Sequence, residues 1–270
     1  MRYEEEFPEV PIDSRDLKRI KDKDLYETVE EVFDTKTVMT IYELMRRRVI
    51  KRMNGVVNAG KEARVYLGYG YKDEELAVKI YLTSTAEFRR GILKYIMGDP
   101  RFRYVPNDTR KLIYLWTRKE YRNLKKMYDV GVSVPRPIAV LNNVLVMEFI
   151  GKNGVRAPLL KEIWQELSEE DLMYIYEQVI DNLKKIVCKA GLVHADFSEF
   201  NIMVKNDLSI VVIDVSQAVS LEHPNAIEFL DRDIRNIYRF FREEVGLDIP
   251  SVDEIKGEVF SCLKREVGLF

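Results

Sequence analysis

Residues 192–204 read LVHADFSEFNIMV, an apolar run broken by His194, Asp196 and Asn201. Thirteen residues after Asn201, at the end of the apolar run IVVID, stands Asp214. If residues 202–213 fold as a hairpin turning at Lys205, Asn206 and Asp207, Asn201 and Asp214 meet at one strand end. Two oxygen donors placed so can hold a hard cation such as magnesium. Asp196, on the loop before, then faces the same cavity and can orient or deprotonate a nucleophile. Each residue alone has an ordinary explanation: Asp214 as a strand-end cap, Asn201 as a loop amide, His194 as a packed, hydrogen-bonded imidazole. Their joint spacing points to a site, in which His194 keeps the packing role.

A phosphate-binding group is sought upstream. Gly55, Gly60 and Lys61 fit G-x₄-G-K, but Glu62 stands where a P-loop needs Ser or Thr. The residues that follow, ARVYLGYG, alternate like a strand, whereas a P-loop opens a helix. A hairpin lid over phosphates fits better, with Gly60 letting the backbone approach. Asn58 and Ala63 occupy the places of the outer glycines in G-x-G-x-x-G, so the loop alone says little. Lys79, inside AVKIY, is flanked by apolar residues and suits the α- and β-phosphates. Glu120, in WTRKEYRNL, is the carboxylate placed to orient it, although a solvent-facing Glu120 is the plain alternative. Met147, Glu148 and Ile150 end an apolar strand whose backbone can pair with adenine, Met147 limiting the depth.

The elements follow from periodicity. Leu25, Val29, Val32 and Phe33, then Val38, Ile41, Leu44, Met45 and Val49, predict a helical prelude over 24–33 and 38–53, broken at Asn54 and Gly55. Val65, Leu67 and the run from Leu76 to Val78 predict strands. Residues 112–129 predict a charged helix and 143–150 a strand. Residues 83–110, with Gly98, Pro100 and Pro106, are expected to be a mobile loop, its hydroxyls Thr83, Ser84, Thr85 and Thr109 being candidates for phosphorylation. Ser168 and Asp171 form a capping-box pattern ahead of a long amphipathic helix that Gly191 ends. Pro224 opens a further helix ending near Gly246, and one more closes the chain. The expected architecture is α+β and two-lobed: a helical extension over 1–50, a sheet lobe over 51–150, and a small, mainly helical lobe over 151–270.

The chain has 270 residues, 46% hydrophobic and 33% charged, with a net charge of −2 that indicates no partner. Within residues 82–126, however, twelve Lys and Arg face four acids, with Phe88, Tyr95, Phe102 and Tyr104 interleaved. That pattern suits contact with RNA as well as a solvated helix face. Cys188 and Cys262 lack any C-x-x-C and are expected as buried, reduced thiols of a cytoplasmic protein. The N-terminus is acidic without an apolar core, so no signal peptide is expected. No apolar run reaches membrane-spanning length, and no membrane partner is expected.

His194-x-Asp196-x₄-Asn201 with the later Asp214 resembles the catalytic loop and metal aspartate of protein kinases. The strings NAGKEARVY, AVKIY, WTRKEYRNL, VLVMEFIG, APLL, LVHADFSEFN and VVIDVSQAV resemble, more narrowly, the RIO atypical protein kinases of the first subfamily, over about residues 40–245. IDVSQ in place of DFG is the sharpest marker. The resemblance implies a bilobal kinase-like fold, ATP with magnesium or manganese, and serine autophosphorylation with ATPase activity. It also implies a role in small ribosomal subunit maturation, on a precursor particle with its rRNA. It gives Asp196 and Asp214 catalytic roles and Asn201 and Asp214 the metal. Asn58, Gly60, Lys61, Lys79, Met147, Glu148 and Ile150 would bind the nucleotide, with Glu120 orienting Lys79. The resemblance also suggests an aspartyl phosphate at Asp214. No winged helix of the second subfamily and none of the long tails of eukaryotic members are expected, and the latter suggests an archaeal member. Asp233, on the helix after Pro224, is expected either to brace the catalytic-loop backbone or to be a plain helix-face acid. With 56 residues after Asp214, there is no room for an activation segment and peptide platform. Two other functions stay open: a small-molecule phosphotransferase of the aminoglycoside or choline kinase type, which usually has a larger helical lobe, and a nucleotide-gated binding module, disfavoured by the retained Lys79, Asp196, Asn201 and Asp214.

Overall fold

From residue 52 onward, β-branched and aromatic residues recur at strand spacing, and five strands result. The computed structural model describes residues 34–82 and 86–267, the side chains of 86–88 and 261–267 excepted. Strands β1 (Arg52–Ala59), β2 (Ala63–Tyr69), β3 (Glu75–Tyr81), β4 (Pro137–Leu141) and β5 (Val144–Glu148) form one antiparallel sheet in the order β1-β2-β3-β5-β4. Val65 lies opposite Lys79 and Leu67 opposite Ala77, while Ala77 and Lys79 pair with Met147 and Leu145 on the other side. Period two then sorts the faces. Val65, Leu67, Ala77, Lys79, Leu145 and Met147 share one. Tyr66, Leu76, Val78, Ile80, Val144 and Val146 share the other, which Ile41 and Leu44 of helix α1 (Thr35–Arg46) cover. Burial on both faces makes AVKIY a continuous apolar run broken only by Lys79.

Helix α1 starts at Asp34, whose carboxylate accepts from Thr37 N at 2.8 Å, and stops seven residues short of the expected end. Arg48 takes a positive φ of 57°, and Met53 already sits in β1 opposite Gly68. Met45, Val49 and Met53 fit helical spacing, but a buried strand uses the last of them as well. The helix expected over 24–33 lies outside the described residues.

The described residues from 86 to 110 do not form the mobile loop expected over 83–110. They hold α2 (Ala86–Leu93), and Ile92, Tyr95, Ile96 and Phe102 are buried. Tyr95 lies with its ring centroid 5.4 Å from that of Phe229 and 6.3 Å from that of Trp116. Residues 94–108 do turn, with Gly98 at φ 88°, but four apolar side chains pin the segment to the core. Thr109 is no loop hydroxyl either, but the first residue of α3 (Thr109–Asp129), capped by Asp108. Thr83, Ser84 and Thr85 lie outside the described residues.

The remainder is mainly helical. Short strands β6 (Gly151–Lys152) and β7 (Val155–Arg156) and the single turn α4 (Leu160–Ile163) lead to α5 (Glu169–Lys184). The Ser168–Asp171 capping box opens α5 as expected, and the helix runs on through a π-type turn to Lys189 before Gly191 at φ 58°. Strands β8 (Leu192–Val193), β9 (Ile202–Val204), β10 (Ile210–Val212) and β11 (Val219–Ser220) follow, pairing as β9–β10 and β8–β11. Helix α6 (Ala226–Tyr238) and α7 (Val252–Val267) close the fold. The main core joins Ile92, Trp116 and Leu124 to Val179, Val193, Val212 and Phe240, so α3 and its preceding segment pack into the same core as the helical half. Cys188 is disulfide-bonded, not the free thiol expected; its π-type turn packs on α7, a proximity that sequence spacing does not reveal. Among the described residues no helix is long and apolar enough to cross a membrane.

Candidate active site

Two backbone anomalies mark the site. Ala195 and Asp214 both take positive φ, 68° and 55°, without being glycine. Such strain persists only where the surroundings enforce it. At Ala195 the enforcement comes from Asp233 on α6. Its carboxylate accepts from Ala195 N at 2.8 Å and from Phe197 N at 2.9 Å. Arg232 donates to the Ala195 carbonyl from the same helix. Asp233 therefore braces the loop, the first of its two expected roles. Burial raises its pKa to about 7, against the pull of the two N–H donors.

The loop so held presents Asp196 and Asn201. Asn201 Nδ2 donates to the Asp196 carbonyl at 2.8 Å and to Asp196 Oδ2 at 3.2 Å. The β9–β10 hairpin closes as expected, with Ile213 N donating to the Asn201 carbonyl at 2.9 Å. Asn201 and Asp214 thus flank one hairpin end. With its nitrogen turned to Asp196, Asn201 has its amide oxygen left for a cation. Oxygen donors from a carboxylate and an amide fit magnesium, which takes one or two carboxylates and completes its shell with water and phosphate. Among the described residues no three His, Cys, Asp or Glu side chains converge into a self-sufficient metal cage.

Lys79 reaches this end from the sheet. Its Nζ lies 2.7 Å from Glu120 Oε1 and 3.0 Å from Asp214 Oδ1. Glu120 is buried, accepts a second hydrogen bond from Tyr81 OH, and is not the solvent-facing residue of the alternative reading. Burial pushes the Lys79 pKa down, but Asp214 and Glu120 outweigh it and hold the ammonium well above the usual lysine range. Asp214 shows the converse: enclosure in the cleft would raise it, yet Lys79 and Ser216 hold it below the ordinary carboxylate range. Its side chain keeps 46% of its surface open, so solvent screens this pair more than the buried Glu120 contact. Asp196 moves the other way, raised by burial and by the charge of Asp214. The two acids therefore differ: Asp214 is held ionised, and Asp196 is the better proton acceptor.

Ser216 and Gln217 tie the acids together. Ser216 Oγ donates to Asp214 Oδ1 at 3.0 Å, and Gln217 Nε2 donates to Asp196 Oδ2 at 3.2 Å. The string IDVSQ held part of this signal, since a hydroxyl two residues after an acid can reach back to it where the chain turns. His194 is fully buried, stacked 5.2 Å from Phe197, and its Nε2 meets the Ile213 carbonyl at 3.3 Å. It packs, as expected. Burial lowers its pKa to about 4.

The nucleotide-binding candidates separate into two groups. Lys79, Glu120 and Met147 are brought to the cleft, where Val65, Leu67, Ala77 and Met147 make an apolar face. Asn58 lies next to the end of β1, and Gly60 and Lys61 form the exposed turn into β2. The turn lies over the site, since Glu62 within it has its carboxyl raised by partial burial and by the charge of Asp214. At the lobe boundary, Glu148 N donates to the Arg136 carbonyl at 2.9 Å and the Ile150 carbonyl accepts from Ala157 N at 2.9 Å. Those two backbone groups are taken by the fold and are not the ones free to pair with a base as expected of this stretch. Sequence reasoning missed Lys119 and Asn123, buried beside Glu120, whose only signal was a lysine and an amide on an otherwise apolar helix face.

The chain is similar to known proteins. The family model described as RIO domain matches residues 64–255. A serine/threonine-protein kinase RIO1 of Caenorhabditis elegans is 41% identical over 242 residues, 89% of this chain and 47% of that protein. A RIO-type serine/threonine-protein kinase Rio1 of Haloferax volcanii is 42% identical, over 84% of this chain and 76% of that protein. The chain thus spans about half the length of the nematode relative and three quarters of the archaeal one. Relatives at similar identity occur in both lineages, so identity does not assign the expected archaeal origin. Among solved structures, a Rio2 kinase–ADP/Mg2+–phosphoaspartate complex from Chaetomium thermophilum superposes with a TM-score of 0.62 at 23% identity, covering 85% of this chain and 70% of that one. That likeness shows the α+β, kinase-like fold.

Proposed function

The chain belongs to the RIO family, and from that membership and the site geometry we propose that it is an ATP-dependent serine/threonine kinase and ATPase of the first RIO subfamily. The observation that carries the reading is the line Glu120–Lys79–Asp214, with Lys79 Nζ at 2.7 and 3.0 Å from the two carboxylates. It sits between an apolar sheet face that suits a purine and a hairpin end that suits a cation. A triphosphate in this cleft takes over donors of Lys79 that now face Asp214, while Glu120 keeps the ammonium in place. Asn201 and Asp214 would hold magnesium, which supplies charge neutralisation to the phosphates. The Rio2 relative holds ADP and Mg2+; manganese finds no such support.

Asp214 is the reacting carboxylate in this proposal. Its oxygen attacks the γ-phosphorus, the bond to the β,γ-bridging oxygen breaks, and ADP leaves with that electron pair. Water then attacks the phosphorus of the acyl phosphate, giving inorganic phosphate and the free carboxylate, with the water proton passing to Asp196. The phosphoaspartate in the Rio2 complex supports this reading by analogy. The alternative fate of the phosphoryl group is a hydroxyl of the chain itself, with Ser84 the serine among the candidates of 83–85. As the place of action we propose a precursor of the small ribosomal subunit in the cytoplasm, on the strength of family membership and the exposed cations Arg90, Lys94, Arg103, Lys111, Arg118 and Arg122.

The test is labelling with γ-phosphate-labelled ATP followed by hydroxylamine. Label released by hydroxylamine in the wild type, and no label in a folded Asp214→Asn variant, is the expected result. Label that survives hydroxylamine and maps only to serine or threonine sinks the aspartyl route. No magnesium-dependent ATP turnover at all, with or without ribosomal particles, sinks the enzyme reading.

A further inference from the structure

The turn behind Asp214 has no sheet partner, yet the carbonyls of Val215, Ser216 and Ala218 are all engaged. Lys119 Nζ donates to the Ser216 carbonyl at 2.7 Å and to the Ala218 carbonyl at 2.5 Å. Asn123 Nδ2 donates to the carbonyls of Val215 at 2.8 Å and Ala218 at 3.0 Å. Arg101 Nη2 adds a third donor to Ala218 at 3.2 Å, and its Nη1 holds Asn123 Oδ1 at 2.8 Å. Arg101 is itself fixed by the buried Asp99, which also accepts from Ser220 N at 3.2 Å. Lys119 is completely buried. Its nitrogen lies 4.9 Å from the centre of the Trp116 ring, and no carboxylate is bonded to it.

An amine placed so is expensive to bury, and a leucine or methionine would fill the space more cheaply. What it does there is chemical. A buried carbonyl left unpaired is costly, and the carbonyls it holds belong to Ser216 and Ala218, just after Asp214. Lys119 also directly precedes Glu120. Consecutive residues on a helix point about 100° apart, so one position of α3 reaches the sheet through Glu120 and Lys79, and the next reaches the Asp214 turn.

We propose that Lys119, supported by Asn123 and Arg101, is a positioning residue for Asp214. It clamps the 215–218 turn to α3, so the helix that sets Lys79 also sets the carboxylate in its left-handed conformation. The inference rests on the role of Asp214 given above. The clamp has two consequences. The turn cannot swing out without breaking five hydrogen bonds, and a shift of α3 moves both charges of the Lys79–Asp214 pair together.

Lys119→Met keeps the volume and removes the donor, and Arg101→Gln loosens the same clamp from a partly exposed position. The first readout is amide hydrogen exchange in protein without nucleotide. Exchange in residues 215–220 should rise about tenfold or more, a local opening of about 1.4 kcal/mol, with β9 and β10 unchanged. The second is a pair of titrations. The magnesium concentration for half-maximal ATP turnover should rise about fivefold or more, while nucleotide affinity in chelator stays within about twofold. If Lys119→Met does not fold, Arg101→Gln and Asn123→Ala carry both readouts. Wild-type exchange and wild-type magnesium demand in a folded variant overturn the proposal. So does exchange that rises evenly through the molecule with magnesium demand unchanged, which is the mark of a merely structural lysine. If the wild type turns over no ATP, the enzyme reading fails, and the exchange readout still decides whether the clamp exists.

Discussion

At the scale of single residues, two buried groups in contact with the catalytic loop make opposite demands on pH. His194 titrates near pH 6.5 when unfolded and near 4 in the fold. The stability it contributes is whole above pH 6.5 and is lost as pH falls toward 4. Asp233 has its folded pKa raised from 3.8 to about 7, so falling pH adds stability over that window. The wild-type profile mixes the two, and the difference between wild type and His194→Gln isolates the imidazole. Urea unfolding should show that difference moving by about 2–3 kcal/mol in favour of the variant between pH 7 and 4.5. A difference that does not change with pH would mean His194 titrates alike in both states, so that its burial shifts nothing. In the cleft the same comparison of environments sorts Asp214 from Asp196. Replacing Asp196 with Ala should lower ATP turnover by about 10²–10⁴-fold with nucleotide affinity nearly kept. Equal losses in both would make Asp196 a structural residue.

At the scale of elements, α3 does more than its amphipathic pattern suggests. One edge carries the apolar contacts of Trp116, Leu124 and Met127, and the adjoining positions carry Lys119, Glu120 and Asn123, all buried and all hydrogen-bonded. A helix that buries three polar side chains is held in one register, because a rotation of one residue would leave each unpaired. Helix α5 supports the floor of the site differently, through its ends. Ser168 Oγ accepts from Asp171 N at 3.1 Å, and Ser168 N donates back to Asp171 Oδ2 at 3.2 Å. Ser168→Ala should lower stability by about 1 kcal/mol. Denaturant melting should show a lower midpoint at unchanged slope, and ATP turnover below the transition should not change. A changed slope would place the effect elsewhere than the cap.

At the scale of the whole molecule, the basic segment divides into an inner and an outer set. Arg101 and Lys119 are used inside, on Asp99 and the turn carbonyls, while Arg90, Lys94, Arg103, Lys111, Arg118 and Arg122 face solvent. Exposed cations such as these, with Lys125 and Lys126, are the ones available to a polyanion. If four to six of these contact phosphates, affinity for a structured RNA should fall on the order of 10²–10³-fold between 50 and 200 mM salt. Anisotropy titrations would show it, and charge reversal at Arg103 and Arg118 should flatten the slope. Affinity indifferent to salt would assign RNA, if bound, to another surface.

Much of the site was legible in the chain itself. H-x-D-x₄-N and the later aspartate fix which groups exist and their spacing along a hairpin, and a two-strand hairpin leaves few ways to place Asn201 and Asp214. The lone lysine of AVKIY was equally readable, because a charge inside a doubly buried strand must have a partner. Other features required the third dimension. The packing of Ile92, Tyr95, Ile96 and Phe102 pins a turn-rich segment to the core, since burial is decided by segments distant in sequence. The disulfide at Cys188 depends on which elements meet. Lys119 illustrates the limit best: a lysine on a charged helix reads as solvated until the fold shows carbonyls from residues about a hundred positions away converging on its amine. Local spacing determines chemistry that neighbours along the chain can perform. Desolvation and the pairing of distant polar groups, which set the charges and the strain at Asp214, belong to the tertiary structure alone.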